Sequence, residues 1–497
     1  MSSSTSSEHS KVPTHGGYVR KLSIKTKPSM DIQINNHYRS KVYTTGSEVS
    51  GHVTITSQSD VRFDVLQIVL LGISKTRIDA VNIPHATSHT FLKLIMPIPE
   101  STYPVPRIFE GGMTYTVPFT FVIPSTLTLN ACNHHVANES VQEHHVRLPP
   151  TVGSWEKDDF APNMSRIQYA IKARAYRDDE VGISTKLMEA GREIRVLPAV
   201  PEDAPLNITK HDDMYTMSKS KTLRKTIISP KSGKVTITAT QPSAAMLSPD
   251  GQTITSTTVP LDLEFVPSSG DARPPKVTGI SSKVTAVTYY SAGGINHYPN
   301  LKNWHRSLGS EGRGSYSGTT SVIAGPVGEI RWDKHLTAQA RRDSGYGSET
   351  LSSSDSDQSP RTAPKQRSKG SSSSPVFHTA RLQVSVQLPT HKKTFLPTFH
   401  SCIASRVYVL WVTVTLVSGG ASAHVTLAVP LQIGVGSSVP RVDPAEQPPT
   451  FEEFEQAEAD MYLRPRVMSL PTIDFHHGAA LPGYADLDYH RRSVAAH

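Results

Sequence analysis

Apolar and polar residues alternate along this chain in many short stretches, with turn residues between them. Asp31-Ile32-Gln33-Ile34 opens the series, and residues 42–55 follow with two alternating runs broken by Gly46 and Gly51, which predicts strand, turn, strand. Residues 64–76 alternate at first and then turn wholly apolar, as a central strand does. Residues 114–124 alternate with Pro118 inside the run; proline has no N–H for a ladder, so an edge position or a bulge is expected. Residues 167–176 and 193–198 complete the set, and residues 188–192 fit a helical turn. Side chains that switch faces at every residue leave one sheet face to bury, so stretches of this kind predict two packed sheets.

Residues 198–205 hold three prolines, at 198, 201 and 205, and read as the hinge to a second set. That set comprises residues 234–239, 257–265, 275–290, 380–389, 405–417 and 423–435, all alternating or wholly apolar. Between 291 and 375 the pattern stops and Ser, Gly, Arg and Asp dominate, too polar to bury a core. A long loop closes at only a logarithmic entropy cost, so an insert is tolerable between paired strands. The expected fold is therefore all-β, with two tandem immunoglobulin-like β-sandwich lobes over 31–198 and 207–440. A hinge covers 199–206, a disordered insert covers 291–375, and residues 1–30 and 441–497 form disordered ends.

Composition narrows the function class. With 37 Pro, 31 Gly and 37% hydrophobic residues, the 497-residue chain suits short strands joined by turns better than a large helical enzyme. Its start, rich in Ser, lacks the apolar stretch of a signal peptide, and the longest strongly apolar run, residues 407–417, is too short to span a bilayer. A soluble chain in a reducing compartment is expected. The formal charge of +8, from 51 Lys and Arg against 43 Asp and Glu, is dispersed and reads first as a solvated surface with a basic bias, with anionic membrane surfaces or phosphorylated partners as the alternative. No basic stripe interleaved with stacking aromatics is present, so nucleic acid is not an expected partner.

Candidate chemistry is sparse. No nucleophile elbow, phosphate-binding loop or dinucleotide fingerprint occurs, so no catalytic residue and no cofactor is assigned. His134, His135, His144 and His145 crowd near Cys132, and His476-His477 recur in the tail; imidazole suits zinc or copper. The other cysteine, Cys402, is remote in sequence and no His-Glu-x-x-His helix is present, so these residues read as a polar loop and no metal is assigned. In the insert, Ser344 and Ser348 stand beside Arg341, Arg342 and Asp343, while Ser354 and Ser356 stand among acids. Both settings suit kinases that read flanking charge, and each phosphate would add about −1.5 to −2 charge to a basic chain.

The order of these features resembles the arrestin superfamily, specifically fungal α-arrestin-like proteins. The pieces that carry the likeness are residues 43–51, 119–124 and 169–173 in the first lobe, and residues 407–410 and 425–433 in the second. The resemblance implies two sandwich lobes, no active site, and an adaptor role in the cytoplasm, peripheral at the plasma membrane or endosomes. It implies two partners: the tail of a membrane transporter or receptor, and a HECT-type ubiquitin ligase whose WW domain docks on proline-tyrosine motifs. A WW groove takes a polyproline-like segment plus one tyrosine. Leu481-Pro482-Gly483-Tyr484 fits that requirement, whereas Pro448-Pro449-Thr450-Phe451 carries Phe451 where tyrosine is needed and lacks its hydroxyl. A sandwich scaffold or sorting subunit without ligase contact is the alternative.

Overall fold

The computed structural model describes residues 29–79, 84–178, 184–224, 229–301, 304, 312–324, 330–336 and 376–437. All of them fall in one compact unit, Met1–Val439. In the first lobe the strands are β1 (Ser29–Ile34), β2 (Val42–Tyr43), β3 (Glu48–Thr56), β4 (Val61–Arg62), β5 (Val65–Ile78), β6 (His85–Ile95), β7 (Ile108–Phe109), β8 (Thr114–Val122), β9 (Ser165–Asp178) and β10 (Ser184–Val196). Helix α1 (Glu139–His145) lies between β8 and β9. One sheet runs β1-β3-β8, the facing one β2-β10-β9-β5-β6, and β4 and β7 form a separate pair.

The period-two pattern does what the sequence implies. Val49, Val53 and Ile55 of β3 are buried, as are Val117, Phe119 and Phe121 of β8, while residues between them face outward. From the other sheet Ile167, Tyr169, Ile171 and Ala173 of β9 meet them. Pro118 is exposed on β8, at the edge of its sheet, and pairs with His52 without a bulge. There the missing N–H costs no ladder bond.

In the second lobe the strands are β11 (Ser218–Arg224), β12 (Lys231–Ala239), β13 (Ala245–Leu247), β14 (Thr257–Pro267), β15 (Lys276–Ser291), β16 (Arg313–Ala324), β17 (Asp333–Leu336), β18 (Val376–Gln387), β19 (Phe399–His400), β20 (Ala404–Ser418), β21 (Ala421–Leu431) and β22 (Ile433–Val435). One layer is β11-β12-β14-β18, with β17 also on β18; the other is β16-β15-β20 with β19 and β21 on β20. Strand β16 joins them, pairing with β15 from Arg313 to Val322 and then with β18 through Ile323 and Ala324. A strand that switches layers closes a sandwich at its corner. The apolar residues of both lobes form one continuous core, including Ile55, Phe119, Tyr169, Val235, Phe265 and Tyr408.

Four expectations change. Residues 48–56 are one strand, and Gly51 does not break it: a Cβ there would lie 2.1 Å from the Gln33 carbonyl oxygen and 2.9 Å from Phe119, so the glycine lets β1 and Phe119 close in. Residues 188–192 are not a helical turn but part of β10, whose ladder to β9 shifts register between Lys186 and Met188. The insert expected over 291–375 is interrupted by β16 and β17; Ser, Thr and Gly content hid β16, which leaves much of itself exposed, and the short, polar and wholly exposed Asp333–Leu336 hid β17. The hinge expected over 199–206 is pinned. Val200 exchanges backbone hydrogen bonds with Val435, and Glu202 accepts from the Ala244 N–H at 2.8 Å.

Gly51→Ala tests the close approach. Forcing a methyl between β3 and β1 should cost about 1–3 kcal/mol, read as a lower midpoint in denaturant unfolding. A nearby change on the outward, half-buried face of β3, Thr54→Ser, should leave the midpoint almost unmoved.

Candidate functional site

The polar chemistry of the described residues gathers where the two lobes meet. Its centre is Arg406, near the start of β20, which is fully buried. Its Nε donates to Thr288 Oγ1 at 3.0 Å and Nη2 donates to the same oxygen at 2.7 Å. Across the seam Nη1 donates to the Asp159 carbonyl, and Nη2 to the Phe160 carbonyl at 3.0 Å. A second-lobe guanidinium thus caps two backbone oxygens of a first-lobe loop.

Local acid chemistry shapes that loop. Asp158 Oδ1 accepts the Phe160 N–H at 2.8 Å, and Asp159 accepts the N–H groups of Ala161 at 3.2 Å and Gly153 at 2.7 Å. Short acidic side chains that take backbone donors two residues on stabilise a tight turn. Here they hold Phe160 at a φ of 57°, a left-handed conformation that costs a residue other than glycine about 1 kcal/mol or more. The ring packs 5.7 Å from that of Phe395 in the other lobe. Lys393 pairs with Asp158, and the Thr394 N–H donates to the Asp158 carbonyl at 3.0 Å. The hydrogen bond from Lys393 holds the Asp158 carboxyl below its ordinary value, and the charge of Arg406 adds to the effect.

Farther along the seam, α1 meets β19. Asn138 caps the helix by accepting the Val141 N–H at 3.0 Å. Asp203, from the linker, accepts from Arg147 at 2.7 Å and from Gln432 at 3.0 Å, and lies 3.4 Å from His144 Nε2. Burial alone would raise the Asp203 pKa; hydrogen bonds from His144 and Arg147 outweigh it and bring it down to about 2. Tyr298 bridges His144 at 2.9 Å and Ser140 at 2.7 Å. His400 is half-buried against this group and its pKa falls to about 3, through desolvation first and the neighbouring His144 next. These side chains line a cavity of about 400 Å³ bounded also by Tyr215 and Pro430.

Beneath α1, Cys132, His134, His145 and Cys402 come together with their ligating atoms all within 4.8 Å of one another. The expectation that the two cysteines lie too far apart to share a site is corrected. Antiparallel strands β19 and β20 make a hairpin whose turn carries Cys402, and lobe packing sets that turn against residues 131–132, with Cys402 Sγ 3.6 Å from the Ala131 carbonyl. Sequence separation says nothing about such a meeting. His135 is exposed and His144 faces the cavity, so the histidine crowd divides into two roles.

The remaining sequence candidates lie outside the described residues: Leu481, Pro482, Gly483 and Tyr484, the degenerate Pro448, Pro449 and Phe451, Ser344, Ser348, Ser354 and Ser356, and His476-His477. Arg406 and the Asp158-Asp159 pair were not singled out in the sequence. A lone charge entering an otherwise apolar run is the signal that marks Arg406. Among the described residues, no helix is long and apolar enough to cross a membrane. Compared with family models and with curated proteins, the sequence gives no match.

Arg406→Met should destabilise the chain by about 3–5 kcal/mol, because two carbonyls and a hydroxyl are left buried without donors. Denaturant unfolding checks the loss, and Arg406→Lys should recover only part of it because an ammonium lacks the planar fork. Asp203→Asn should cost about 2 kcal/mol at neutral pH. Since the folded carboxyl titrates below its ordinary 3.8, that stabilisation is complete above 3.8 and disappears as pH falls to about 2. The wild-type and Asp203→Asn unfolding curves should therefore converge over that range.

Proposed function

We propose that the chain is a non-catalytic adaptor of the arrestin-like kind, which presents two β-sandwich lobes to a membrane transporter or receptor tail. Through its own tail it recruits a HECT-type ubiquitin ligase for ubiquitination and endocytic trafficking of that cargo. The observation that carries this reading is the seam. Buried Arg406, the loop at 157–161 and the Asp203 cluster spend their polar groups on each other, which sets two sandwiches in a fixed relation. A rigid pair of this kind serves to hold surfaces at a set spacing.

The edges supply a means of binding. Strands β6 and β8 end their sheets, and each has a backbone side without a neighbouring strand among the described residues. An extended cargo segment can add to such an edge, with main-chain hydrogen bonds for affinity and alternate side chains for selection. The basic balance of the chain favours work beside anionic membrane, which suits a cytoplasmic protein peripheral to the plasma membrane or endosomes. The Phe451 position favours a second reading, a sandwich scaffold in a sorting or signalling assembly without a ligase, because one of two candidate docking motifs lacks the tyrosine hydroxyl.

Titration of the full chain with the WW domains of a HECT-type ligase separates the two. Binding that weakens about tenfold or more in Tyr484→Ala supports ligase recruitment. Absence of binding, or binding that ignores the substitution, favours the scaffold.

A further inference from the structure

Four side chains under α1 have no role in the adaptor reading, yet their chemistry is specific. Cys132 closes the short helical turn Leu129–Ala131, His145 ends α1, His134 lies in the loop between, and Cys402 sits on the hairpin of the other lobe. Cys132, His145 and Cys402 are buried, and His134 is half-buried. Two thiols and two imidazoles within 4.8 Å of one another make a mixed sulfur and nitrogen donor set.

The orientation of the rings adds to this. His134 Nδ1 lies 3.1 Å from the His135 carbonyl, which fixes it as the N–H donor and leaves Nε2 as a bare lone pair. That Nε2 is buried and has no hydrogen-bond partner among the described residues. A ligand histidine whose other nitrogen donates to a carbonyl is the usual outer arrangement of a metal site. Gly294 of the second lobe presses on the same ring: a Cβ there would lie 2.5 Å from Nδ1, so the imidazole is clamped between lobes. His145 Nδ1 is 3.5 Å from Cys132 Sγ. Zn–N near 2.0 Å and Zn–S near 2.3 Å at a tetrahedral angle place nitrogen and sulfur roughly 3.5 Å apart.

We propose that Cys132, His134, His145 and Cys402 form a closed, tetrahedral zinc site that joins the two lobes. Three ligands come from the first lobe and one from the second, so the ion joins the lobes at the β19–β20 hairpin. Four protein donors leave no open position, which makes the site structural. Burial first, with the adjacent Cys132 thiol adding to it, raises the Cys402 thiol pKa to about 12, and burial lowers that of His145 to about 3. Binding Zn²⁺ releases the thiol protons to solvent and converts a buried, poorly satisfied pocket into a coordinated one.

The test uses the full chain, purified under reducing conditions, with total metal measured by mass spectrometry. After chelation it is titrated with Co²⁺ followed by absorption. We expect one zinc per chain, and a cobalt spectrum with thiolate charge transfer and the strong visible bands of four-coordinate geometry. Cobalt affinity should fall by about tenfold or more in Cys402→Ser, and stay unchanged in His135→Gln, whose side chain is exposed. If Cys402→Ser does not fold, the wild-type cobalt spectrum alone decides. A reduced chain that holds no zinc and gives only the weak bands of six-coordinate cobalt overturns the proposal. So does thiol-blocked peptide mapping that finds Cys132 and Cys402 already joined as a disulfide in the chain taken from its cell.

Discussion

A guanidinium buried without a carboxylate in direct contact is a costly object, and the joining of the lobes is arranged around one. Arg406 leaves water entirely, and what replaces its hydration is a pair of carbonyls from the first lobe and a threonine hydroxyl from its own. The fork geometry matters: several N–H groups in one plane reach two successive carbonyls and Thr288 together, which an ammonium cannot do. This places a directional, all-or-none element in a fold otherwise held by the non-directional burial of apolar faces.

The rest of the seam follows from that constraint. For the carbonyls of Asp159 and Phe160 to point at Arg406, the loop must turn sharply, and the two aspartates hold it there with backbone donors. The same turn sends the Phe160 ring against Phe395 and brings Asp158 to Lys393. On another side, Thr76 of β5 and Thr87 of β6 donate to the carbonyls of Ser291 and Ala292, both at 2.7 Å. The linker, pinned by Val200 to Val435, then delivers Asp203 to Arg147 and Gln432. Most of these contacts use a backbone group or a charge that would be costly to leave buried alone. Together they fix one arrangement of the lobes.

Much of the architecture could be read along the chain. Residues 114–122, 167–175 and 257–265 alternate cleanly, and each lies in a strand with its apolar side inward. Pro118 foretold its edge position. Where the reading failed, the cause was packing between strands. Gly51 looks like a breaker but is required by the approach of β1, and β16 looks like low-complexity chain but pairs with β15 and crosses to β18. Backbone pairing asks little of side chains when one face stays wet, so a Ser, Thr and Gly strand carries no hydrophobic signature.

The site was less legible. Cys132, His134 and His145 stand out in the sequence as a group, and Arg406 as a lone charge beside an apolar run, but nothing local connects either to its counterpart. Alternation along the chain marked most of the core strands, because over a few residues it decides which face is buried, and that is a property of neighbours along the chain. Only the tertiary structure decided that Cys402 joins Cys132 and that Arg406 meets Asp159 and Phe160. Those meetings depend on how two sandwiches dock, and docking is set by the shape and hydrogen-bonding needs of surfaces assembled from distant segments.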